Sequence, residues 1–141
     1  TAGLVQHLLL GNNICGNDLP RRIAELIKEG KVALRTWYIA GNRITGEGLA
    51  PLCEVLRDDQ FVHQLWLKRN PLHSEGAGLI SSMLKSNRTL KVLDLVNCGL
   101  MDSGAEALMD GIAQSSLEHL YLDGNGLTCK TAAGLTIAGH K

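Results

Sequence analysis

Near its carboxyl end the chain carries a segment that almost matches a phosphate-binding loop. The segment Gly124-Asn-Gly-Leu-Thr-Cys-Lys-Thr131 follows an apolar run and nearly fits the pattern G-x-x-x-x-G-K-[ST]. A phosphate-binding loop needs its second glycine so that backbone amides can wrap the phosphates, but Cys129 stands in that place. The segment therefore does not predict nucleotide binding, and we expect no cofactor.

Histidine and cysteine are the other residue types whose chemistry could support catalysis or metal binding. They are scattered along the chain as His7, His63, His73, His119 and His140 and as Cys15, Cys53, Cys98 and Cys129. There is no C-x-x-C pair, so neither a zinc site nor a disulfide framework is indicated. The histidines form no convincing metal cluster or catalytic triad. We expect no enzyme and no metal site, and the isolated cysteines favour reduced thiols in an intracellular setting.

Internal repetition is the dominant feature of the sequence. Five segments share the pattern L-x-x-L-x-L-x-x-N/C-x-L with a period near 28 residues, and a helix-like stretch follows each of them. They are LVQHLLLGNNI from Leu4, LRTWYIAGNRI from Leu34, VHQLWLKRNPL from Val62, LKVLDLVNCGL from Leu90 and LEHLYLDGNGL from Leu117. The pattern resembles the leucine-rich repeat family, and the period with a full helix per repeat resembles its ribonuclease-inhibitor-like subclass.

Strand periodicity assigns the residues of each repeat to two faces. Residues four and six of a segment point to the same side of a strand, so they are expected to be buried together. These pairs are Trp37 and Ile39, Leu65 and Leu67, Leu93 and Leu95, and Leu120 and Leu122. Parallel stacking of the strands would build one continuous core, with helices covering it. The resemblance implies an α/β, right-handed solenoid whose concave face is a parallel sheet and whose convex side carries the helices.

The residue that ends each strand has a predicted structural role. Asn42, Asn70 and Asn125 can satisfy backbone groups where the chain turns out of the sheet. Cys98 takes that position in the fourth repeat, where we expect a turn residue and not a nucleophile.

Three of the five aromatic residues fall on one outward column of the sheet. Position five of the repeats reads Leu8, Tyr38, Trp66, Asp94 and Tyr121. Large rings on an exposed sheet add nothing to the core, whereas Trp and Tyr dominate binding hot spots. We predict that Tyr38, Trp66 and Tyr121 anchor a partner; cross-strand packing of the rings is the alternative.

Charges on the same face are sorted by sign. Lys68 and Arg69 follow the third strand, with His63 before it, whereas Asp94 and Asp123 belong to the fourth and fifth repeats, where His119 also lies. Such a division would orient a partner and speed its approach. These residues are predicted to flank the anchors, although an ordinary mixed surface would also carry both signs.

The first repeat allows two registers because Asn12 and Asn13 are adjacent. Counting forward, Asn12 to Leu19 matches the spacing from Asn42 to Leu49, which favours Asn12 as the repeat asparagine. That register buries His7 against Trp37 and turns Val5, Leu8 and Leu10 outward. The rival register through Asn13 would expose His7 and bury the other three.

Composition and chain length set further limits. The 141 residues, 45% apolar and 20% charged with a formal charge of +0, indicate one soluble domain over 1–141, divided as 4–33, 34–61, 62–89, 90–116 and 117–141. No stretch approaches the roughly 18 apolar residues of a membrane span, and balanced charge disfavours nucleic acid. Neither end has a polar capping unit, so we expect a piece of a longer array that can self-associate end to end.

Function is predicted from the resemblance. Ribonuclease-inhibitor-like repeats occur in ribonuclease inhibitor, NOD-like receptors, Ran GTPase-activating protein and tropomodulin, which all bind another macromolecule. We therefore predict a protein-recognition module in a larger cytoplasmic receptor or regulator of the NOD-like type, with a role in innate immunity. A regulator that activates a small GTPase is the alternative implied by the same resemblance, and an array segment whose face binds nothing is the third possibility.

Overall fold

A computed structural model describes residues 5–131, in which short parallel strands alternate with helices. The strands are β1 (His7–Leu9), β2 (Thr36–Tyr38), β3 (Gln64–Trp66), β4 (Val92–Asp94) and β5 (His119–Tyr121). The helices are α1 (Asp18–Lys28), α2 (Gly46–Leu56), α3 (His73–Ser86) and α4 (Met101–Gln114). The strands pair in chain order, each parallel to the next, with a helix in every connection. This confirms the predicted α/β solenoid with its concave sheet.

The core lies between the sheet and the helices and is built from the residues that the strand periodicity selects. The predicted inward pairs of β2, β3 and β4 are all buried. Leu120 and Leu122 are only partly buried, and they belong to β5, which is the last strand of the sheet within residues 5–131. The helices contribute Leu49, Leu52 and Ile80, among others, to the same cluster.

A ladder of buried amides joins successive repeats at the strand ends. Asn70 is fully buried, and its Oδ1 accepts the backbone N–H groups of Asn42 and Ile44 at 2.9 and 3.0 Å. Asn125 repeats the arrangement towards Cys98, whose thiol donates to the carbonyl of Leu67 at 3.3 Å. Burial raises the pKa of the Cys98 thiol to about 11. Cys98 is therefore protonated at neutral pH, which fits the turn role predicted for it and not a nucleophile.

The favoured register of the first repeat is wrong. Leu8, and not His7, pairs with Trp37, and Leu9 pairs with Tyr38. His7 is exposed, and its Nδ1 lies 2.7 Å from the hydroxyl of Thr36. Leu8 and Leu10 pack partly against the core, whereas Val5 remains exposed. The outward column therefore begins with Leu9 in place of Leu8.

The register shifts because Asn13 is the repeat asparagine. Its Nδ2 donates to the carbonyl of Leu10 at 2.9 Å, as Asn42 does to Ile39. Asn12 has a φ of 61°, and the left-handed residues at the same place in the other repeats are Gly41, Arg69, Asn97 and Gly124. Asparagine and glycine tolerate this conformation better than most residues do. Asn12 thus fits the turn that precedes the repeat asparagine.

The indole nitrogen of Trp37 is buried and lacks a hydrogen-bond partner among residues 5–131. It is the one buried side-chain nitrogen or oxygen in that part of the chain of which this is true. Trp37 is 3% exposed and occupies the inward position that leucine holds in the neighbouring strands. An unpaired buried donor lowers stability by ~1–3 kcal/mol, which offsets part of the gain from burying the ring. We expect Trp37→Phe to change the free energy of unfolding by less than ~1 kcal/mol, whereas Trp37→Ala should lower it by ~3–5 kcal/mol. Urea unfolding of both variants measures this, and equal losses would contradict it.

Candidate protein-binding surface

The three predicted anchor residues lie together on the concave face. Tyr38 and Trp66 are cross-strand partners, and their ring centroids are 6.1 Å apart with a tilt of 35°. Trp66 and Tyr121 are stacked, with centroids 5.8 Å apart and an interplanar angle of 21°. We call Tyr38, Trp66 and Tyr121 the aromatic row. Its continuity shows that the rings pack against each other across the sheet as well as facing the concave side.

Exposure differs along the aromatic row. Tyr121 is 40% exposed, whereas Tyr38 and Trp66 are half-buried. The indole nitrogen of Trp66 donates to the side-chain oxygen of Gln64 at 3.2 Å, which fixes the orientation of the ring. Leu9 continues the same cross-strand line beyond Tyr38 and is 66% exposed. The rings thus support each other and still offer apolar surface; their role as anchors for a partner stays a prediction.

A shallow depression of about 310 Å³ adjoins the row. It is lined by His7, Leu9, Thr36, Tyr38, Gln64 and Trp66. The lining combines apolar surface with hydroxyl, amide and imidazole groups, so it suits an apolar side chain with a polar neighbour. Sequence reasoning did not include His7, Leu9, Thr36 and Gln64 among the binding residues. The Asn13 register together with strand periodicity would have placed the first two on this face.

The basic side chains of repeat three point towards the first repeats. The ammonium of Lys68 lies 5.8 Å from the ring centroid of Tyr38, within the range of a cation–π interaction. The guanidinium of Arg69 donates to the side-chain oxygen of Asn12 at 2.9 Å. Both cationic side chains therefore contact residues of the first two repeats.

The other predicted flanking residues are placed differently. Asp123 and His119 are exposed in the fifth repeat. The Nδ1 atom of His63 lies 2.8 Å from the carbonyl of Phe61, so this ring is held at the start of its strand. The binding roles of these residues stay predictions.

Asp94 occupies its predicted place in the column but is not a surface charge. Only 2% of the residue is exposed, and its Oδ1 accepts the backbone N–H of Val96 at 3.0 Å. Burial raises the pKa of Asp94 above its ordinary value; the positive charges of Lys68 and Arg69 oppose that rise, and the negative charge of Asp123 adds to it. A sequence pattern shows which way a side chain points, and cannot show that neighbours cover it.

Comparison with known proteins identifies the repeat. A family described as Leucine Rich repeat matches residues 33–53 and 86–109. Ribonuclease inhibitor of Sus scrofa is 34% identical over 108 residues, which cover 72% of this chain and 24% of that protein. The chain belongs to the leucine-rich repeat family. Its ribonuclease-inhibitor-like character agrees with the period seen in the sequence.

Two further comparisons, one of sequence and one of structure, concern this leucine-rich repeat chain. The human NACHT, LRR and PYD domains-containing protein 13 is 30% identical over 122 residues, which cover 86% of the chain and 12% of that protein. The chain thus spans a quarter or less of these two relatives. The solved structure of the leiomodin-1 actin-binding site 2 superposes with a TM-score of 0.78 at 18% identity, over 94% of this chain and 78% of that chain. At that identity the likeness concerns the fold alone.

Three other features of the leucine-rich repeat chain concern membrane spans, metal sites and cavities. No helix within residues 5–131 is long and apolar enough to cross a membrane. The same part of the chain brings together no group of three His, Cys, Asp or Glu residues that could hold a metal ion. A second depression, of about 810 Å³, lies off the aromatic row, between the loops that follow α1 and α2, with Phe61 in its wall.

Proposed function

We propose that this leucine-rich repeat chain is a protein-recognition module of a larger regulator of the NOD-like type, and that the aromatic row is its contact surface. The observation that carries the proposal is the single continuous line of rings on the concave face, with Tyr121 40% exposed at one end and Leu9 66% exposed at the other. Large apolar side chains in a concave setting are typical binding hot spots.

Preorganisation of the rings supports this proposal. Trp66 contacts a ring on each side and is fixed by Gln64, so it is already ordered before a partner arrives. Ordering a free side chain on binding opposes affinity by ~0.5–1.5 kcal/mol for each group. A row that is rigid in the free protein avoids most of that loss, so more of the apolar burial appears as binding free energy.

Charge separation supports the orientation of the partner. Lys68 and Arg69 lean towards repeats one and two, whereas Asp123 and Glu118 are exposed in repeat five. We propose that the partner places acidic groups near the former and basic groups near the latter. Charges of this kind act mainly on the association rate and on specificity, and they weaken as salt increases.

The relatives support a regulatory setting. One is named a ribonuclease inhibitor, and another is named for its NACHT, LRR and PYD domains. A third, from Caenorhabditis elegans, is named a homolog of a protein phosphatase 1 regulatory subunit. We propose a non-enzymatic module in the cytoplasm, possessing no cofactor; the four cysteines, all of which are free, are compatible with a reducing compartment.

Removing the aromatic row tests the proposed function. We expect the Tyr38→Ala/Trp66→Ala/Tyr121→Ala variant to bind a captured and identified protein partner at least ~100-fold more weakly, because hot-spot residues each contribute roughly 2 kcal/mol or more. Calorimetric titration of the purified partner measures the change. Phe61→Ala is the matched control, since this ring is also exposed but lies outside the row.

The binding measurement requires folded, monomeric protein. Circular dichroism and urea unfolding show whether the triple variant keeps the fold. Exposed Val5 and Ile14 at the β1 end favour the predicted end-to-end self-association, so light scattering accompanies the titration. Undiminished affinity in a folded triple variant would rule out the row as the contact surface.

A further inference from the structure

Two rings of the aromatic row close over a carboxylate. Asp94 lies between Trp66 and Tyr121 in the cross-strand line, since β4 separates β3 from β5. Strands two apart are separated by about 10 Å, yet the centroids of these two rings are only 5.8 Å apart. The rings therefore lean towards each other across Asp94, which is why only 2% of that residue is exposed.

The covered carboxylate has little compensation for its burial. Among residues 5–131 it accepts one hydrogen bond, from the N–H of Val96, and takes part in no ion pair within 4.0 Å. Lys68 and Arg69 act on Asp94 from a distance but form no ion pair with it: Lys68 lies over Tyr38, and Arg69 is bound to Asn12. Burial of an unpaired charge opposes folding.

The fold itself does not require a carboxylate at this position. The same place in the other strands is taken by Leu9, Tyr38, Trp66 and Tyr121. The bond from Val96 needs only an acceptor oxygen, which asparagine also has. A buried carboxylate on a concave face, perturbed by desolvation and not required by the fold, is a candidate functional group.

We propose that Trp66, Asp94 and Tyr121 form a subsite for an arginine side chain of the protein partner. This inference rests on the proposed recognition function of the concave face. A guanidinium is flat, stacks on aromatic faces and pairs with a carboxylate through two N–H groups. The two rings are already within 21° of parallel. Parting their centroids to roughly 7 Å, two contacts of ~3.5 Å, admits the flat group and uncovers Asp94.

The surroundings favour a cation over an anion at this point. Exposed Asp123 and Glu118 lie in the same fifth repeat as Tyr121. Asp123 acts on Asp94 and so adds negative charge beside the subsite, whereas the side chains of Lys68 and Arg69 contact residues of repeats one and two. The entering arginine thus replaces the missing counter-ion of Asp94.

Two probes that differ only in charge test the subsite directly. N-acetyl-arginine amide is titrated into ¹⁵N-labelled protein, with the neutral isostere N-acetyl-citrulline amide as the control. The two tryptophans give separate indole N–H signals, assigned with Trp66→Phe. We expect the Trp66 signal to shift in a saturable way with arginine only, while the buried Trp37 signal stays in place. A citrulline shift of equal size, or no Trp66 shift with arginine, would overturn the proposal. A lysine probe that shifts the Trp66 signal equally would overturn the preference for arginine, because the subsite would then accept ammonium groups as well.

The Asp94→Asn variant separates binding from a structural role. Asparagine keeps the acceptor for Val96 and removes the charge, so we expect the arginine response of Trp66 to be lost while the urea midpoint stays the same or increases. Asp110 is an exposed acid in α4, so Asp110→Asn should change neither the arginine response of Trp66 nor the urea midpoint. An unchanged arginine response in Asp94→Asn would refute the subsite.

The stability difference between Asp94→Asn and the natural chain should depend on pH. A carboxyl whose pKa is raised by folding destabilises the folded state when ionised, and that effect is relieved as pH falls through the folded pKa. The charged groups that act on Asp94 are Lys68, Arg69 and Asp123. The advantage of the variant is therefore expected at neutral pH and should disappear as pH falls towards the ordinary value of 3.8.

These tests need no partner, so the two proposals fail separately. If Trp66 ignores both probes while partner binding still depends on the aromatic row, the recognition function stands and the arginine subsite is wrong. If the arginine response is present but the triple alanine variant binds the partner normally, the aromatic row is not the main contact surface.

Discussion

Replacing Asn70 by alanine is expected to lower the free energy of unfolding by about 3–5 kcal/mol, an effect as large as that of Trp37→Ala. Asn70 is fully buried, and its Oδ1 accepts two backbone N–H groups of the preceding repeat. Alanine leaves both amides without an acceptor in a dry core. The carbonyls of Ile39 and Leu67 also lose a donor, although each keeps a weaker one, from Asn42 at 3.2 Å and Cys98 at 3.3 Å.

Asn13→Ala is the matched control, because Asn13 holds the same position in the first repeat. It is exposed, and within residues 5–131 its side chain bonds only to carbonyls of its own turn, Leu10 at 2.9 Å and Gly11 at 3.5 Å. Water can replace those bonds, so we expect a loss below about 1 kcal/mol. Urea unfolding curves of both variants measure the difference. Similar losses at the two positions would show that the contribution of the asparagine side chain to stability does not depend on its burial.

The sequence determines most of the repeat fold, because the spacing that defines it is dictated by burial. Inward pairs such as Trp37 and Ile39 repeat with strand periodicity. The amide after the strand bonds to backbone groups of the neighbouring repeat, as Asn42 does to the carbonyl of Leu10. The register of the first repeat escaped this reasoning because two asparagines stand side by side and Leu19 mimics the spacing of Leu49. In the structure Pro20 takes the buried place at the start of α1. The left-handed turn, which suits Asn12, decides the register, and hydrophobic spacing does not contain that information.

The candidate site is less accessible to sequence reasoning than the fold is. Periodicity places Tyr38, Trp66 and Tyr121 on one face, and the structure brings them into one row. Whether neighbouring rings lean apart or together depends on side-chain rotamers, which a repeat pattern does not encode. The same holds for Asp94: its position in the column is clear from the sequence, but its 2% exposure results from rings two strands apart. The hidden carboxylate is thus a property of the assembled face.

Close contact between α3 and α4 gives a further prediction, and it concerns the aromatic row because the distance between the convex helices helps to set the curvature of the concave face. Gly111 lets the helices approach: a Cβ there would lie 2.6 Å from both the Cα and the carbonyl oxygen of Ser81. These are backbone atoms and cannot move aside alone. The N–H of Gly111 also donates to the Ser81 hydroxyl at 3.0 Å. We expect Gly111→Ala to lower the free energy of unfolding by ~1–3 kcal/mol, as overpacking does in other cores.

Gly78→Ala, on the same pair of helices, is expected to change the free energy of unfolding in the opposite direction. A Cβ at Gly78 in α3 meets nothing within 4 Å, and alanine is the better helix former. We therefore expect a gain of ~0.5–1 kcal/mol from the reduced freedom of the unfolded chain. Urea midpoints of the two variants should move in opposite directions. If Gly111→Ala pushes the helices apart, the indole N–H signal of Trp66 should also shift, because the strands behind those helices carry the row. A Gly111→Ala protein as stable as Gly78→Ala would mean that the helix spacing adjusts freely, and that Gly111 does not fix the curvature on which the row depends.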